Sequence, residues 1–247
     1  MKKFSSLLMC VVFLLAILAP TVEASQGYGQ KGKLTSGVFT YTLIDKGKAV
    51  RIDVSKNAKG KVTIPAKIKG KPVTEIGKGA FYTNNITSVV IPKGVKKIGA
   101  NAFGFCVNLN SVTLPSTLTS IGNMAFAFCE SLKSIKIPAK VKKIGADVFS
   151  GCSSLSKVTL HSGITSINEF AFMGARLNTL TISVSLKKGK SYTLPKLWGK
   201  KWTGGNTKVL TRTKGTTYKA KAAGKATFKS KSRTGQTLKV VVTVVNK

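Results

Sequence analysis

Three cysteines recur at equal spacing in the middle of the chain. Cys106, Cys129 and Cys152 are each 23 residues apart. If each 23-residue segment forms one coil and successive coils stack at about 5 Å, as neighbouring strands do, the Cα atoms of adjacent cysteines fall within the roughly 4.4–6.8 Å that a disulfide needs. One disulfide is compatible with this spacing, and a ladder of buried thiols acting as small apolar fillers is the alternative. A zinc site would need a fourth ligand that the nearby sequence does not offer.

The side chains used in acid–base catalysis are scarce in this sequence. It has one His and seven Asp or Glu among 247 residues. His161 lacks a neighbouring partner for proton transfer, so we interpret it as a tolerated surface substitution. The carboxylates beyond residue 24 share no common register, unlike the ligands of a periodic Ca²⁺ array: Asp45, Asp53, Glu75, Glu130, Asp147 and Glu169. We therefore predict no enzymatic activity, no cofactor and no metal.

The charge of the chain is strongly one-sided. Its formal net charge is +34, and from Arg176 onward it has 18 Lys or Arg and no Asp or Glu. A small domain needs a net charge of only about 2 to 8 for solubility. A field of this size attracts polyanions over a Debye length of about 8 Å at physiological salt. The composition therefore indicates an anionic polymer as a partner.

The first residues predict export. Lys2 and Lys3 precede an apolar stretch over residues 7–18, and small residues around Ala24 fit a cleavage site. We interpret residues 1–24 as a signal peptide whose removal leaves a net charge of about +33. The apolar stretch is too short for a membrane span, and no second long one follows. We expect a secreted, extracellular chain without an integral membrane segment.

A 23-residue period organises the centre of the chain. Four rows of like residues share it: Ile91, Leu114, Ile137 and Leu160; Ile98, Ile121, Ile144 and Ile167; Phe103, Phe126, Phe149 and Phe172; and the three cysteines. An earlier, irregular copy contains Ile64, Ile76 and Phe81, which makes about five repeats and part of a sixth. One copy buries too little alone, so neighbouring coils must stack these rows into one core.

Within each copy, alternation before the Pro predicts a short strand, which the Pro should end because it has no N–H to donate. The following Gly and Ala-Phe pair predict a tight turn and a short helical or irregular return. These motifs resemble the BspA-type leucine-rich repeats of bacterial and protist surface proteins. The resemblance implies a solenoid of stacked short parallel strands over residues 61–182. It also implies an N-terminal β cap, which with a flexible start occupies residues 25–60.

The 23-residue period ends after Ile182, and short alternating runs separated by Gly follow. Tyr192, Trp202, Phe228 and the Val-rich run from Leu238 to Val244 resemble bacterial Ig-like domains of group 2. This resemblance implies a small β-sandwich over residues 183–247, acting as a spacer or adhesive module. The expected fold is therefore mainly β, with a leucine-rich-repeat solenoid followed by an Ig-like β-sandwich.

Two sets of exposed residues are candidate binding sites. The first is an outward row on the predicted strands, which either faces a ligand or only favours strands and solubility: Thr63, Val90, Thr113, Lys136, Thr159 and Thr181. The second is a set of Lys pairs suited to a flexible polyanion: Lys96, Lys97, Lys142, Lys143, Lys187, Lys188, Lys200 and Lys201. Two of these pairs recur 46 residues apart, and duplication of a two-repeat unit would also produce that pattern.

The expected function is adhesion or binding at a cell surface or matrix. The basic surface would hold the protein on anionic polymers such as the teichoic acids of a Gram-positive envelope, while the repeats bind a protein or glycan. The alternative is a freely secreted adhesin or effector that binds a host glycosaminoglycan or extracellular DNA. Specific nucleic-acid recognition is not expected, because the few aromatic residues fall mostly in core rows.

Overall fold

The regular secondary structure of the described residues is entirely β-strand. The computed structural model describes residues 34–55, 57–197, 201–232 and 234–246. The predicted signal peptide, the segment from 25 to 33 and Lys200 lie outside these residues. No helix long and apolar enough to cross a membrane occurs in the described part. The mainly β fold expected from the sequence is confirmed, and the return half of each repeat is built from turns and short strands.

Three strands precede the repeats: β1 (Leu34–Ser36), β2 (Phe39–Ile44) and β3 (Ala49–Ser55). β1 pairs with β2 and β2 with β3, both antiparallel. The buried side chains of Val50 and Ile52 on β3 join the core of the repeats. Phe39 sets its ring edge-on to Phe81, with centroids 6.2 Å apart. This small sheet therefore covers the apolar end of the first coil.

Each regular repeat contributes two short strands, and the first, irregular copy contributes three. The repeat strands are β4 (Lys59–Thr63), β5 (Lys67–Ile68), β6 (Lys71–Ile76), β7 (Asn85–Val90), β8 (Lys97–Ile98), β9 (Ser111–Thr113), β10 (Ser120–Ile121), β11 (Ser134–Lys136), β12 (Lys143–Ile144), β13 (Lys157–Thr159) and β14 (Ser166–Ile167). The first row, β4-β7-β9 and β11-β13, is parallel. The second row continues from β3 as β6-β8-β10, with β12-β14 beyond, and is also parallel.

The recurring Ile-Gly pair marks the closest approach between coils. A Cβ on Gly122 would lie 2.4 Å from the backbone nitrogen of Ala100. On Gly99 it would lie 2.5 Å from the nitrogen of Lys78. Real side chains do not tolerate such contacts, so only glycine lets the coils stack at this spacing. The repeated glycine thus allows the backbones of neighbouring coils to come into contact.

A ladder of parallel phenyl rings forms the centre of the solenoid. The centroids of neighbouring rings are 4.9 to 5.6 Å apart, and the rings lie within 13° of parallel: Phe81, Phe103, Phe126, Phe149 and Phe172. The first four rings are fully buried. Burial of an aromatic side chain contributes about 1.5–3 kcal/mol, and each ring pair adds about 0.5–1.5 kcal/mol. The Phe row seen in the sequence is therefore a principal source of stability.

Eight strands follow the last coil: β15 (Thr179–Lys187), β16 (Ser191–Thr193), β17 (Lys196–Leu197), β18 (Thr203–Gly204), β19 (Leu210–Lys214), β20 (Thr217–Ala220), β21 (Gly224–Lys231) and β22 (Thr237–Val245). They form one sheet in the order β15-β22-β21-β18 and a second in the order β16-β20-β19. β15 runs through the predicted boundary at residues 182 and 183 and pairs in parallel with β22 over nine residues.

The C-terminal strands are joined closely to the repeats. β17 returns to the solenoid and extends its second row by pairing in parallel with β14. Buried side chains from both parts, including Phe172, Leu180 and Val240, belong to one continuous core. The described residues thus form a single compact unit. The C-terminal strands cover the far end of the solenoid as the N-terminal strands cover its beginning.

Candidate ligand-binding faces

Five of the six predicted ligand-facing residues lie on the first strand row: Thr63, Val90, Thr113, Lys136 and Thr159. The exposed side of this row is called the strand face. Thr63 pairs with Val90 and Val90 with Thr113, and Lys136 pairs with Thr159. All five side chains are exposed, as is Thr181 on β15. Neighbouring parallel strands stand about 4.8 Å apart. These residues therefore occupy exposed positions on neighbouring strands, and ligand binding by them stays a prediction.

The strand face continues into the C-terminal sheet. Thr181 pairs with Lys239 on β22, Lys239 with Lys229 on β21, and Lys229 with Thr203 on β18. These lysines could not be assigned to the face from the sequence, because a parallel pairing between strands almost 60 residues apart leaves no local signal. The adjacent outward positions of the same strands are Lys, Ser or Thr: Lys61, Ser88, Ser111, Ser134, Lys157, Thr179, Thr237 and Lys231. Within these described positions the face has no carboxylate.

Three lysines concentrate positive charge at the C-terminal end of the strand face. Lys201, Lys229 and Lys231 line an open cavity of about 440 Å³ together with Thr203 and Thr237. Their side chains are exposed. Like charges held together in this way repel one another unless an anion lies between them. Of the predicted polyanion-binding residues, Lys201 is the one that lines this cavity.

The recurring Lys pairs lie on the second strand row. Lys97 and Lys143 occupy equivalent positions, and Lys196, which the sequence analysis did not select, pairs with Ser166 in the same row. Lys97 forms an ion pair with Glu75, at 2.9 Å between Nζ and Oε1. All the predicted lysines among the described residues have exposed side chains: Lys96, Lys97, Lys142, Lys143, Lys187, Lys188 and Lys201.

The same side-chain-to-backbone hydrogen bond recurs with the 46-residue alternation. The Thr119 hydroxyl donates to the Lys96 carbonyl of the preceding coil at 2.9 Å. The Thr165 hydroxyl donates to the Lys142 carbonyl at 3.0 Å in the same way. Each Thr thus donates to a backbone acceptor of the preceding coil, while the Lys96 side chain is exposed and the Lys142 Nζ donates to the Ala139 carbonyl at 2.9 Å. The two Thr residues of the alternation therefore have a structural role that is independent of ligand binding.

The three repeat cysteines are buried free thiols. Each Sγ donates to a carbonyl of the preceding coil: Cys106 to Phe81 at 2.9 Å, and Cys129 and Cys152 to the next two phenylalanines of the ladder at 3.1 Å. Burial raises the pKa of the Cys106 and Cys152 thiols to about 12, and the pKa of Cys129 well above its ordinary value. Thiolate is the reactive form of cysteine, so buried thiols with a raised pKa are unreactive. These three cysteines are therefore core residues.

His161 is tied into the backbone at the position where other repeats have Pro. Its Nε2 lies 2.9 Å from the Val141 carbonyl, and the Gly163 N–H donates to its Nδ1 at 3.1 Å. The imidazole is half-buried. It closes a turn that Pro closes elsewhere, which gives it a structural role.

The acidic residues do not converge on a site. Asp53 forms an ion pair with Arg51, at 2.6 Å between Oδ1 and Nε, and also accepts a hydrogen bond from the Thr42 hydroxyl. Burial raises the pKa of the Asp147 carboxyl above its ordinary value. Among the described residues, no group of three or more His, Cys, Asp or Glu is arranged to hold a metal ion.

Comparison with known protein families matches residues 74–196 to the BspA type leucine rich repeat region, in six copies. No curated protein matches the chain. Several solved structures do match it. The leucine rich repeat protein of T. pallidum is 31% identical with a TM-score of 0.57, and the match covers 63% of this chain and 75% of that one.

The other two structures are longer than the matched region. A leucine rich cell surface protein from Faecalibacterium prausnitzii A2-165 is 30% identical with a TM-score of 0.50, and the match covers 63% of this chain and 50% of that one. The pneumococcal vaccine antigen PcpA is 26% identical with a TM-score of 0.51, and the match covers 62% of this chain and 44% of that one. The stacked Phe, Ile and Cys rows and these matches agree. The chain belongs to the leucine-rich-repeat proteins of the BspA type.

Proposed function

We propose that this protein is an exported, non-enzymatic binding or adhesion protein that its basic surface holds on anionic polymers of a cell envelope or matrix. The observation that carries the proposal is the strand face, which follows the neighbouring strands of the repeats into the sheet of Lys239 and Lys229 and has no carboxylate at its described outward positions. The similarity to a cell surface protein and to a vaccine antigen supports a surface location.

The geometry of the strand face suits an extended ligand. Hydroxyl and ammonium groups repeat at the strand spacing of about 4.8 Å. A polymer with regularly spaced phosphates or sulfates can contact several of them at once, and each contact is weak because the groups are exposed. Many weak contacts along one chain produce avid but salt-sensitive binding. Teichoic acid of a Gram-positive envelope has this chemistry.

We also propose that residues 183–247 form an Ig-like domain of the bacterial group 2 type. The strand order supports this assignment. The sheet β16-β20-β19 corresponds to strands B, E and D of an Ig sandwich, and β18-β21-β22 corresponds to C, F and G. The domain contributes the lysine-lined cavity and the last strands of the strand face.

The experiment is retention of the purified protein on isolated Gram-positive cell walls, with and without teichoic acid, across a salt series. Binding that requires the polymer and falls steeply with salt is expected, since screening weakens contacts between exposed charges. Binding that is weak or insensitive to salt would overturn envelope retention. Equal salt-sensitive binding to heparan sulfate or to DNA, without preference for walls, would favour a freely secreted adhesin.

A further inference from the structure

A second cavity lies at the opposite end of the repeats from the lysine cluster. It has a volume of about 450 Å³ and lies between the end of β3, the start of β4 and the turn after Phe81. Its size falls in the usual range for small-ligand sites, about 300–1,000 Å³. Its lining includes one aromatic ring, three side-chain amides and a hydroxyl: Tyr82, Asn57, Asn84, Asn85 and Ser55.

Tyr82 supplies the aromatic surface of this cavity. Its ring is half-buried and lies outside the Phe ladder of the core. Phe105 packs against it in a T-shaped arrangement, with centroids 5.5 Å apart, and the ring also covers Gly104, where a Cβ would lie 3.1 Å from Cδ2. These contacts hold the ring in place on one side. On the other side, the ring borders the cavity.

The amides beside Tyr82 are held in fixed orientations. The Asn108 side chain donates to Asn85 Oδ1 at 2.7 Å, so this bond occupies the oxygen and leaves the Asn85 amide nitrogen as a donor. The Asn84 nitrogen donates to the Tyr82 carbonyl at 3.3 Å, which leaves the Asn84 oxygen as an acceptor. A donor and an acceptor therefore stand on neighbouring residues next to the aromatic ring.

Ser55 adds an unsatisfied hydroxyl. Its side chain is 2% exposed, and its Oγ has no hydrogen-bond partner among the described residues. Buried hydroxyls in native proteins are nearly always paired, so an unpaired one requires an explanation. A ligand or an ordered water at the edge of the cavity would satisfy it.

We propose that this cavity binds a neutral saccharide. A sugar ring has an apolar C–H face that packs on an aromatic ring, and its hydroxyls each donate and accept hydrogen bonds, as the Asn and Ser groups require. An apolar ligand would leave these polar groups unpaired. A polyanion has little to bind here, because Lys59 is the one cationic side chain among the described lining residues, against three at the C-terminal cavity.

This inference rests on the proposed function as a binding protein and specifies the glycan that the repeat array takes. It places the glycan at the N-terminal edge, where Lys59 and Asn85 begin the first two strands of the strand face. The two sites differ in chemistry, so salt separates them. Hydrogen bonds and ring packing to a neutral sugar persist at high salt, whereas polyanion contacts are screened.

The test is binding of the full chain to a panel of neutral oligosaccharides built from glucose, galactose, mannose and N-acetylglucosamine. It is measured at physiological salt and at about 1 M, where the Debye length is about 3 Å. We expect at least one oligosaccharide to bind with an affinity that changes less than twofold between the two salts. Tyr82→Ala and Asn85→Ala should each weaken it at least tenfold, and Tyr82→Phe should keep most of it. The matched control is Phe170→Ala, which removes an exposed ring elsewhere and should change nothing.

Absence of binding to every neutral oligosaccharide by the folded protein would overturn the saccharide site, as would full affinity in Asn85→Ala. The latter variant also guards against misfolding, because Asn85 is exposed and its loss should leave the fold intact. Retention on teichoic acid is measured on the same proteins. If that retention fails while the neutral sugar binds, the envelope proposal is wrong and the saccharide site stands.

Discussion

The side-chain nitrogen of Gln236 donates to the main-chain carbonyl of Phe172 at 3.0 Å, and the bond is buried. Phe172 is the last ring of the core ladder, and Gln236 immediately precedes β22. Next to this bond, the Thr237 N–H donates to the Asn178 carbonyl at 2.9 Å. The final hairpin of the chain therefore satisfies backbone groups at the open end of the solenoid.

We predict that Gln236→Leu lowers the free energy of unfolding by about 1–3 kcal/mol, because the Phe172 carbonyl loses its donor while it remains buried. Urea denaturation followed by circular dichroism measures the change. The repeats and the C-terminal sheets should unfold in one transition. Asn246→Ala, at an exposed position, is the control and should stay within about 0.5 kcal/mol of the parent. Two separated transitions would contradict a shared core.

The Phe ladder predicts that replacing Phe126 by Ala lowers the free energy of unfolding much more than replacing Phe170 by Ala. Phe126 lies between rings at 5.2 and 5.6 Å and is fully buried. Phe126→Ala should lower the free energy of unfolding by about 3–5 kcal/mol. Phe170 is 37% exposed, and its replacement by Ala should cost much less. Similar losses for both variants in chemical denaturation would mean that the ladder is not the core.

The buried thiols predict a loss of stability at alkaline pH. Burial raises the pKa of Cys106 and Cys152 from 9.0 to about 12 in the folded state. The unfolded chain therefore loses these protons from about pH 9 while the folded chain keeps them, so the free energy of unfolding falls between pH 9 and 12. A variant with Ala at all three repeat cysteines should show a flatter decline over the lower part of this range.

The same burial predicts low reactivity of the repeat cysteines in the native protein. At pH 8 a thiol reagent should modify them slowly, and rapidly once the chain is denatured, because the folded thiols are protonated and inaccessible. Counting modified cysteines by mass spectrometry measures this. Fast modification of Cys129 in the native protein would show that the ladder opens readily.

The repeats could be predicted from the sequence because each row recurs in register. The Phe, Ile and Cys rows each occupy one position of a 23-residue period, and stacking alone converts such a period into a core. The strand face followed from alternation within each copy. These are local signals repeated several times, so a single irregular copy does not hide them.

The C-terminal pairings could not be predicted in the same way. β17 has two residues, too few for a periodic pattern, yet it brings Lys196 beside Ser166. The parallel pairing of β15 with β22 joins segments far apart in sequence, so Lys229 and Lys239 gave no sign of belonging to the strand face. The cavity at Tyr82 combines two segments of the chain, residues 55–59 and 82–85, and no spacing in the sequence predicts that they form a site. Lys200 lies outside the described residues.

The most direct test of the central claim compares two triple variants with equal net charge on teichoic-acid-bearing cell walls. One replaces Lys229, Lys231 and Lys239 by Gln, and the other replaces Lys48, Lys93 and Lys140, which are exposed outside the strand face. We predict that the first variant elutes at clearly lower salt than the second, which should stay close to the parent, because contacts along the face act together. Identical elution of the two variants would contradict the account, since it would mean that total charge, and not the strand face, holds the polymer.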